Sequence, residues 1–314
     1  MRDRSWPGCA STRSLLRRRS KHGKSQDTHR QTTLVSAPDA APGAQLPVRV
    51  QNYIDALVQT CAQNQAPLVS VVLFGSAAKG GFAADVSDVD LIIVAPDAAS
   101  RENRHRLGVD IARLETAHGL CPVTTGPRGP LQARIERAVG HGFSCFVCTR
   151  SDLLSGDVAR VLDLRPLETP FVDRIIFASI VASAVTVWGE NLLSRVPVPS
   201  VRRLDVFKAL FGFSSQVLLS AATYPVLPDA TKYAMGALKH SLHSCFFCYQ
   251  QRTTTLEDEV AFFNQRPGPN RTLMELLSLR QEYRRSFAFV IRCLPTLARL
   301  HLRTARDNRF PRSG

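Results

Sequence analysis

Leu73-Phe74-Gly75-Ser76-Ala77-Ala78-Lys79-Gly80-Gly81, followed by Ser87-Asp88-Val89-Asp90-Leu91-Ile92-Ile93-Val94, is the stretch that decides the fold. Leu68 to Phe74 reads as an apolar strand that runs into a glycine-serine turn. Asp88 to Val94 reads as a second strand, and the unbroken run Leu91-Ile92-Ile93-Val94 predicts burial on both faces. Asp88 and Asp90 stand at i and i+2, so their side chains share a face. On a strand their Cα atoms are roughly 6–7 Å apart, close enough to grip a hard divalent cation. Without a cation the two acids would repel each other at the mouth of the strand. Small residues at the turn let backbone N–H groups approach a phosphate closely. These parts together suit metal-assisted transfer of a nucleotidyl group. Asp85 lies nearer the turn and reads as a loop residue.

The pattern resembles that of nucleotidyltransferases of the DNA polymerase β superfamily. There an apolar residue, Gly, and Gly or Ser are followed, after a short spacer, by a strand reading Asp-apolar-Asp/Glu-apolar. Here the match is Phe74-Gly75-Ser76, the spacer 77–87, and Asp88-Val89-Asp90-Leu91, within residues 68–95. The resemblance implies that Asp88 and Asp90 ligate Mg²⁺, with two metal ions in the site. It implies that Gly75 and Ser76 contact the β- and γ-phosphates of a nucleoside triphosphate, ATP being the first expectation. Lys79 is a further candidate phosphate contact, with a solvated loop lysine as the plain alternative. The superfamily often adds a third carboxylate from a later strand. The best later strand, Phe143 to Thr149, holds no acid. Asp152 and Glu190 follow it without a supporting motif, and Asp152 reads equally well as a helix N-cap.

With 314 residues the chain has room for two domains. Its net charge of +14 favours acidic partners such as nucleotides or nucleic acid. That charge is unevenly placed. Residues 1–33 carry a net +7, half of the total. Residues 1–47, rich in Ser, Arg, Ala and Pro, are expected to be a disordered basic tail; they lack the apolar core of a secretory signal, and an organellar transit peptide is the alternative. No run approaches 18 apolar residues, so no membrane span is expected. The scattered cysteines fit a reducing compartment and a cytoplasmic location. Cys145 and Cys148 fall on a strand and face opposite sides, while Cys245 and Cys248 fall on an apolar helix, so neither pair reads as a zinc site.

Val50, Ile54, Leu57, Val58 and Cys61 predict a helix before the first strand, and Leu107, Ile111 and Leu114 another after the second. Cys121 to Thr124 is a candidate short strand, and Leu131 to Val139 a short helix. From Phe171 the pattern is helical: Ile175 to Trp188, Leu204 to Leu219, Tyr233 to Tyr249, Leu256 to Phe263 and Leu273 to Leu302, with a kink at Pro295. The fold class is therefore α/β (α+β): a nucleotidyltransferase-like head with a small mixed sheet over 48–170, then an all-α helical bundle over 171–314. That order also resembles the aminoglycoside nucleotidyltransferases and small prokaryotic relatives, whose bundle closes over the nucleotide. Lys232 and Lys239 share a helix face and are candidates for reaching the triphosphate, or are solvated surface lysines. His240 and His243 read as ordinary polar positions rather than ligands, and Arg284 and Arg285, beside Tyr283 and Phe287, as cover for aromatic surface, with nucleic-acid binding as the alternative.

The leading expectation is an enzyme that moves a nucleoside monophosphate to a hydroxyl on a small molecule, a protein or an RNA end, releasing pyrophosphate. A regulatory nucleotide-binding protein of the same fold is the alternative. A ribonuclease in the helical half is disfavoured, because residues 171–314 hold no Arg followed at four to six residues by His. Acceptor, base and oligomeric state have no signal in the chain.

Overall fold

The computed structural model describes residues 46–64, 66–79, 89–120, 145–164, 174–265 and 270–308, all within the compact unit Ser36–Gly314. Its centre is β1 (Ser70–Phe74), buried at every position. β2 (Asp90–Ala95) pairs antiparallel with β1, setting Phe74 opposite Asp90 and Leu73 opposite Leu91. β3 (Cys145–Thr149) runs parallel to β2. The two connections therefore make a mixed sheet, as expected.

Alternation along the strands builds two cores. Val71, Leu73, Leu91 and Ile93 face α1 (Val48–Gln63) and α3 (Arg101–Ala117), which contribute Tyr53, Ile54, Leu57, Leu107 and Ile111. Val72, Phe74, Ile92 and Val94 face the opposite layer of α4 (Arg150–Ser155), α5 (Val158–Val161) and α6 (Arg174–Ser183). The apolar run after Asp90 is thus buried on both faces. Cys145 packs in the first core and Cys148 in the second, as their spacing predicts. Between β1 and β2 lies only the short α2 (Gly75–Ala78) among the described residues. The expected strand at Cys121–Thr124 and helix at Leu131–Val139 lie outside them.

One expectation fails here. Ile175 to Trp188 is not one helix. α6 stops at Ser183, and β4 (Val185–Gly189) returns antiparallel to β1, giving the strand order β3-β2-β1-β4. An apolar run alone does not separate a buried helix from a strand. The β-branched and aromatic residues Val185, Thr186, Val187 and Trp188 suit a pleated surface, and the free edge of β1 supplies partners for their backbone. Glu190 N then donates to Val69 O at 2.9 Å, closing the end of the ladder. The sheet is therefore completed by residues beyond 170.

The remaining helices form the bundle: α7 (Arg203–Thr223), α8 (Ala230–Gln250), α9 (Leu256–Asn264), α10 (Arg271–Gln281) and α11 (Phe287–Asp307). The single helix expected over Leu273–Leu302 is two. Its break at 282–286 is set by Ser286, whose hydroxyl caps α11 by accepting from Phe289 N at 3.2 Å. Pro295 lies inside α11. α6 joins the layers, placing Ile175 and Ala178 in the bundle core and Phe177 and Ile180 under the sheet. Cys245 and Cys248 belong to the bundle core. Among the described residues, α7 is long and apolar enough to cross a membrane, but it packs Val206, Phe213 and Val217 into that core. Arg285 covers the Tyr224 ring at 4.7 Å, the role expected of that basic pair.

His301 ties three bundle helices together. Its Nε2 lies 2.7 Å from Ser241 Oγ on α8, and its Nδ1 lies 3.1 Å from Val206 O on α7. Donation from Nδ1 to the carbonyl leaves Nε2 to accept from the serine, so the ring is neutral. Burial pushes its pKa down to about 4. A base whose folded pKa is depressed stabilises the fold fully above its free value, near 6.5, and this stability drains away as pH falls toward 4. The loss is about 3 kcal/mol at its full extent. Urea unfolding at pH 7.5 and about pH 4.5 checks this, and a ring proton of His301 that titrates near pH 6.5 contradicts it.

Candidate active site

Antiparallel pairing carries the C-terminal end of β1 and the start of β2 to the same end of the sheet. Gly75 and Asp90 meet there. Gly75 has φ +73°, in the left-handed region. A Cβ on it would lie 2.0 Å from Asp90 Oδ2 and 3.0 Å from Asp90 Cγ. The carboxylate therefore rests against the bare α-carbon of the turn, and the glycine serves both conformation and close approach. Ser76 and Ala77 continue α2, which closes with Lys79 N donating to Ser76 O at 3.2 Å. Val89, Leu91 and Ile93 all enter the first core, so Asp90 turns to the other face. Asp88 lies outside the described residues.

Lys79 does not project as a solvated loop lysine. Burial pushes its pKa down; Glu259 and Asp90 act the other way, and Lys239 adds to the depression. Lys79 thus feels charges carried by the bundle as well as the carboxylate of Asp90. Lys239 and His243 are one helical turn apart on α8, and Glu259 is on α9. Glu259 is only 1 % exposed. His243 Nδ1 and Glu259 Oε1 are 2.6 Å apart. Burial pushes the Glu259 carboxyl up to about 8 although Lys79 and Lys239 draw it down. His243 is held well below its ordinary value by burial and then by Lys79, Lys239, His240 and Arg280, so its ring is neutral. Sequence reading missed Glu259 and His243 as site residues. A signal existed: Glu259 interrupts the apolar stripe Leu256, Val260, Phe263.

The other candidates have structural work. Asp152 is not the N-cap residue. It is the third residue of α4, with Oδ2 accepting from Thr149 N at 3.1 Å and from Thr149 Oγ1 at 2.6 Å in a capping box. Glu190 pairs with Arg150 at 2.7 Å and Arg195 at 3.2 Å. Lys232 pairs with Asp229 at 2.9 Å and lies 4.9 Å from the Tyr283 ring centroid. His240 stacks on Phe213. A cavity of about 750 Å³ opens at the far end of the sheet, between α1 and α3, beside Pro67, Pro96 and Arg104. None of the sequence-predicted site residues lines it.

Residues 54–133 match the family described as nucleotidyltransferase domain. That span holds the turn, both aspartates and Lys79. No curated protein matches the chain. Among solved structures, spectinomycin adenyltransferase AAD(9) from Enterococcus faecialis, crystallised with ATP and spectinomycin, aligns over 82 % of this chain and 99 % of its own, with 10 % identity and a TM-score of 0.49. A likeness of that size carries nothing about ligand or acceptor.

Proposed function

We propose, from the premise that this chain carries a polymerase-β-type nucleotidyltransferase domain, that it moves a nucleoside monophosphate from a nucleoside triphosphate, ATP first, to an acceptor hydroxyl. The observation that carries this reading is the Asp90 carboxylate seated against Gly75 at the mouth of a two-sided buried sheet. A second support is the half-buried Lys79 that closes that turn, whose charge Asp90 favours.

The residues divide the work. Gly75 and Ser76 form a turn slim enough for phosphate oxygens to approach its backbone. Lys79 and Lys239 offset the charge of the triphosphate and of the departing pyrophosphate. Asp90, with Asp88 two positions before it in the sequence, supplies the hard oxygen donors that Mg²⁺ takes. When bound, the metal neutralises phosphate charge and aligns the acceptor oxygen with the α-phosphorus. The head comprises residues 48–170 with β4 completing its sheet, and the bundle forms the other wall of the site. Such an enzyme works in the cytoplasm, where nucleoside triphosphate is supplied; the described cysteines are free thiols, as that compartment keeps them.

The experiment is incubation of the purified protein with each labelled nucleoside triphosphate, MgCl2 and a panel of hydroxyl acceptors, reading pyrophosphate release. The wild type is expected to release it. Asp88→Asn is expected to lose at least about a hundredfold, since metal-borne stabilisation is worth several kcal/mol. Full activity in Asp88→Asn refutes the assignment of that residue. Binding without release across the panel refutes the transfer.

A further inference from the structure

The cavity of about 750 Å³ between α1 and α3 has no part in the proposed transfer. At one end the two helices are fastened together: Arg49 of α1 donates to His118 O at 3.2 Å and to Gly119 O at 2.6 Å, just beyond the last turn of α3. Toward the other end Leu57 and Cys61 of α1 and Leu107 and Ile111 of α3 give the cavity a buried apolar floor. Burial, then Asp110, pushes the Cys61 thiol up to about 11, so the floor is uncharged at neutral pH. The side wall is made of small residues, Ala66, Ala95, Ala98 and Ala99. One leucine among them would fill much of the space, and close packing is what a protein interior otherwise reaches. The wall is also held in place. Ala99 N donates to Pro96 O at 2.9 Å, and Asp97 Oδ1 accepts from Ser151 N at 2.7 Å. A preformed cavity of this volume is the size that takes a small organic molecule.

The rim decides the chemistry. Arg106 is paired with Glu102, and Asp110 with Arg113 at 3.1 Å, so those charges are answered. Arg104 is different. Its side chain lines the cavity and is half-buried. It makes one long hydrogen bond, Nη1 to Ala99 O at 3.4 Å, and among the described residues no carboxylate pairs with it. A guanidinium carries five N–H donors in a planar fork that matches a carboxylate. We propose that this cavity is a second ligand site, one that takes a small amphipathic anion: a flat apolar body on the floor of Leu57, Leu107 and Ile111, and one carboxylate on Arg104. Such a ligand does not compete with a nucleotide for space. Pro67 precedes β1 and Ala95 ends β2, so the cavity lies at the opposite end of both strands from Gly75 and Asp90. The length of these strands puts on the order of 20 Å between the two places.

The test uses the full chain and 2-naphthoate as probe, with 2-naphthylmethanol and 2-naphthylmethylamine as neutral and cationic counterparts of the same body. Calorimetry is expected to give one naphthoate site per chain. The alcohol is expected to bind more weakly on the order of tenfold, the scale of a charge-assisted hydrogen bond, and the amine more weakly still. This ranking is read on the wild type and needs no variant to fold. Methyl resonances of Leu57, Leu107 and Ile111 are expected to shift with naphthoate, and ATP with MgCl2 is expected to leave its affinity unchanged. In Arg104→Met the acid and the alcohol are expected to bind within about threefold of each other, because the charge that separates them is gone. Ala98→Trp, which brings an indole into the cavity from an exposed position, is expected to weaken all three probes. No saturable heat up to about 1 mM naphthoate overturns the site. So does equal affinity for the three probes, a set of shifted methyl groups that leaves out the floor, displacement by ATP, or wild-type affinity in a folded Ala98→Trp. An undiminished preference for the acid in Arg104→Met overturns the role given to that guanidinium.

Discussion

Asp90→Asn is expected to lower nucleotidyl transfer by about a thousandfold while the protein melts at close to the same temperature. The amide keeps the shape of the carboxylate, so its seat against the Gly75 α-carbon is preserved. What changes is charge. A divalent cation loses an anionic ligand, and metal-borne stabilisation of the transition state is worth several kcal/mol. At about 1.4 kcal/mol per tenfold, a loss near 4 kcal/mol is about a thousandfold in rate. Stability is expected to change little, because the amide keeps the seat on Gly75 and only the attraction of the carboxylate for the Lys79 charge is lost. Rate and melting temperature should therefore separate. Pyrophosphate release at saturating MgCl2 and a thermal melt without metal measure both. More than about a tenth of wild-type turnover in the variant would mean that Asp90 is not a ligand of the reacting metal.

Much of the head was legible because its constraints are local. The run from Leu91 to Val94 has one reading, a strand covered on both sides, and both cores bear it out. The turn was legible because Gly75-Ser76 follows directly on an apolar strand, whereas the room it leaves for the Asp90 carboxylate had no local signal. β4 was not legible. Val185 to Trp188 becomes a strand because the edge of β1 is open beside it, and that edge is set by residues more than a hundred positions earlier. The same limit governs the lysines. Lys232 and Lys239 share a helix face, but two turns separate them by about 10 Å along the axis. Only the contacts of the folded bundle decide that Lys232 goes to Asp229 and Tyr283 while the charge of Lys239 is felt by Lys79. Glu259 shows this most clearly. Its sequence context, Leu256-Glu257-Asp258-Glu259, reads as acids filling the first turn of a helix, which the helix dipole favours anyway. The one local cue that separates the buried Glu259 from its outward-facing neighbour Glu257 is its place in the stripe of Leu256, Val260 and Phe263, and that cue competes with the first-turn reading. The failure of the two candidates for a third carboxylate has a related explanation. Asp152 and Glu190 were sought because they follow β3 in the chain, yet each is consumed by a local task, a capping box and an arginine pair.

Gly75→Ala is expected to be damaging on two separate counts, and the two can be measured apart. An L residue at φ +73° pays the left-handed penalty of about 1–2 kcal/mol. For a chain of this size that is a fall of roughly 2–8 °C in melting temperature. The methyl group would also fall 2.0 Å from Asp90 Oδ2, a separation no pair of atoms tolerates, so the carboxylate must swing away. Transfer should then fall as far as in Asp90→Asn, although no charged group has been removed. The double variant distinguishes the counts. If the alanine acts on the reaction through Asp90, Gly75→Ala/Asp90→Asn is no slower than the slower single variant, because both remove the same ligand. Its melting temperature should still show the backbone penalty, which the asparagine does not relieve. Rates that multiply instead would show that the turn contributes separately, through backbone contacts to the phosphates. Wild-type transfer in Gly75→Ala would show that the carboxylate need not rest on the turn at all, and the site geometry argued from that contact would be wrong.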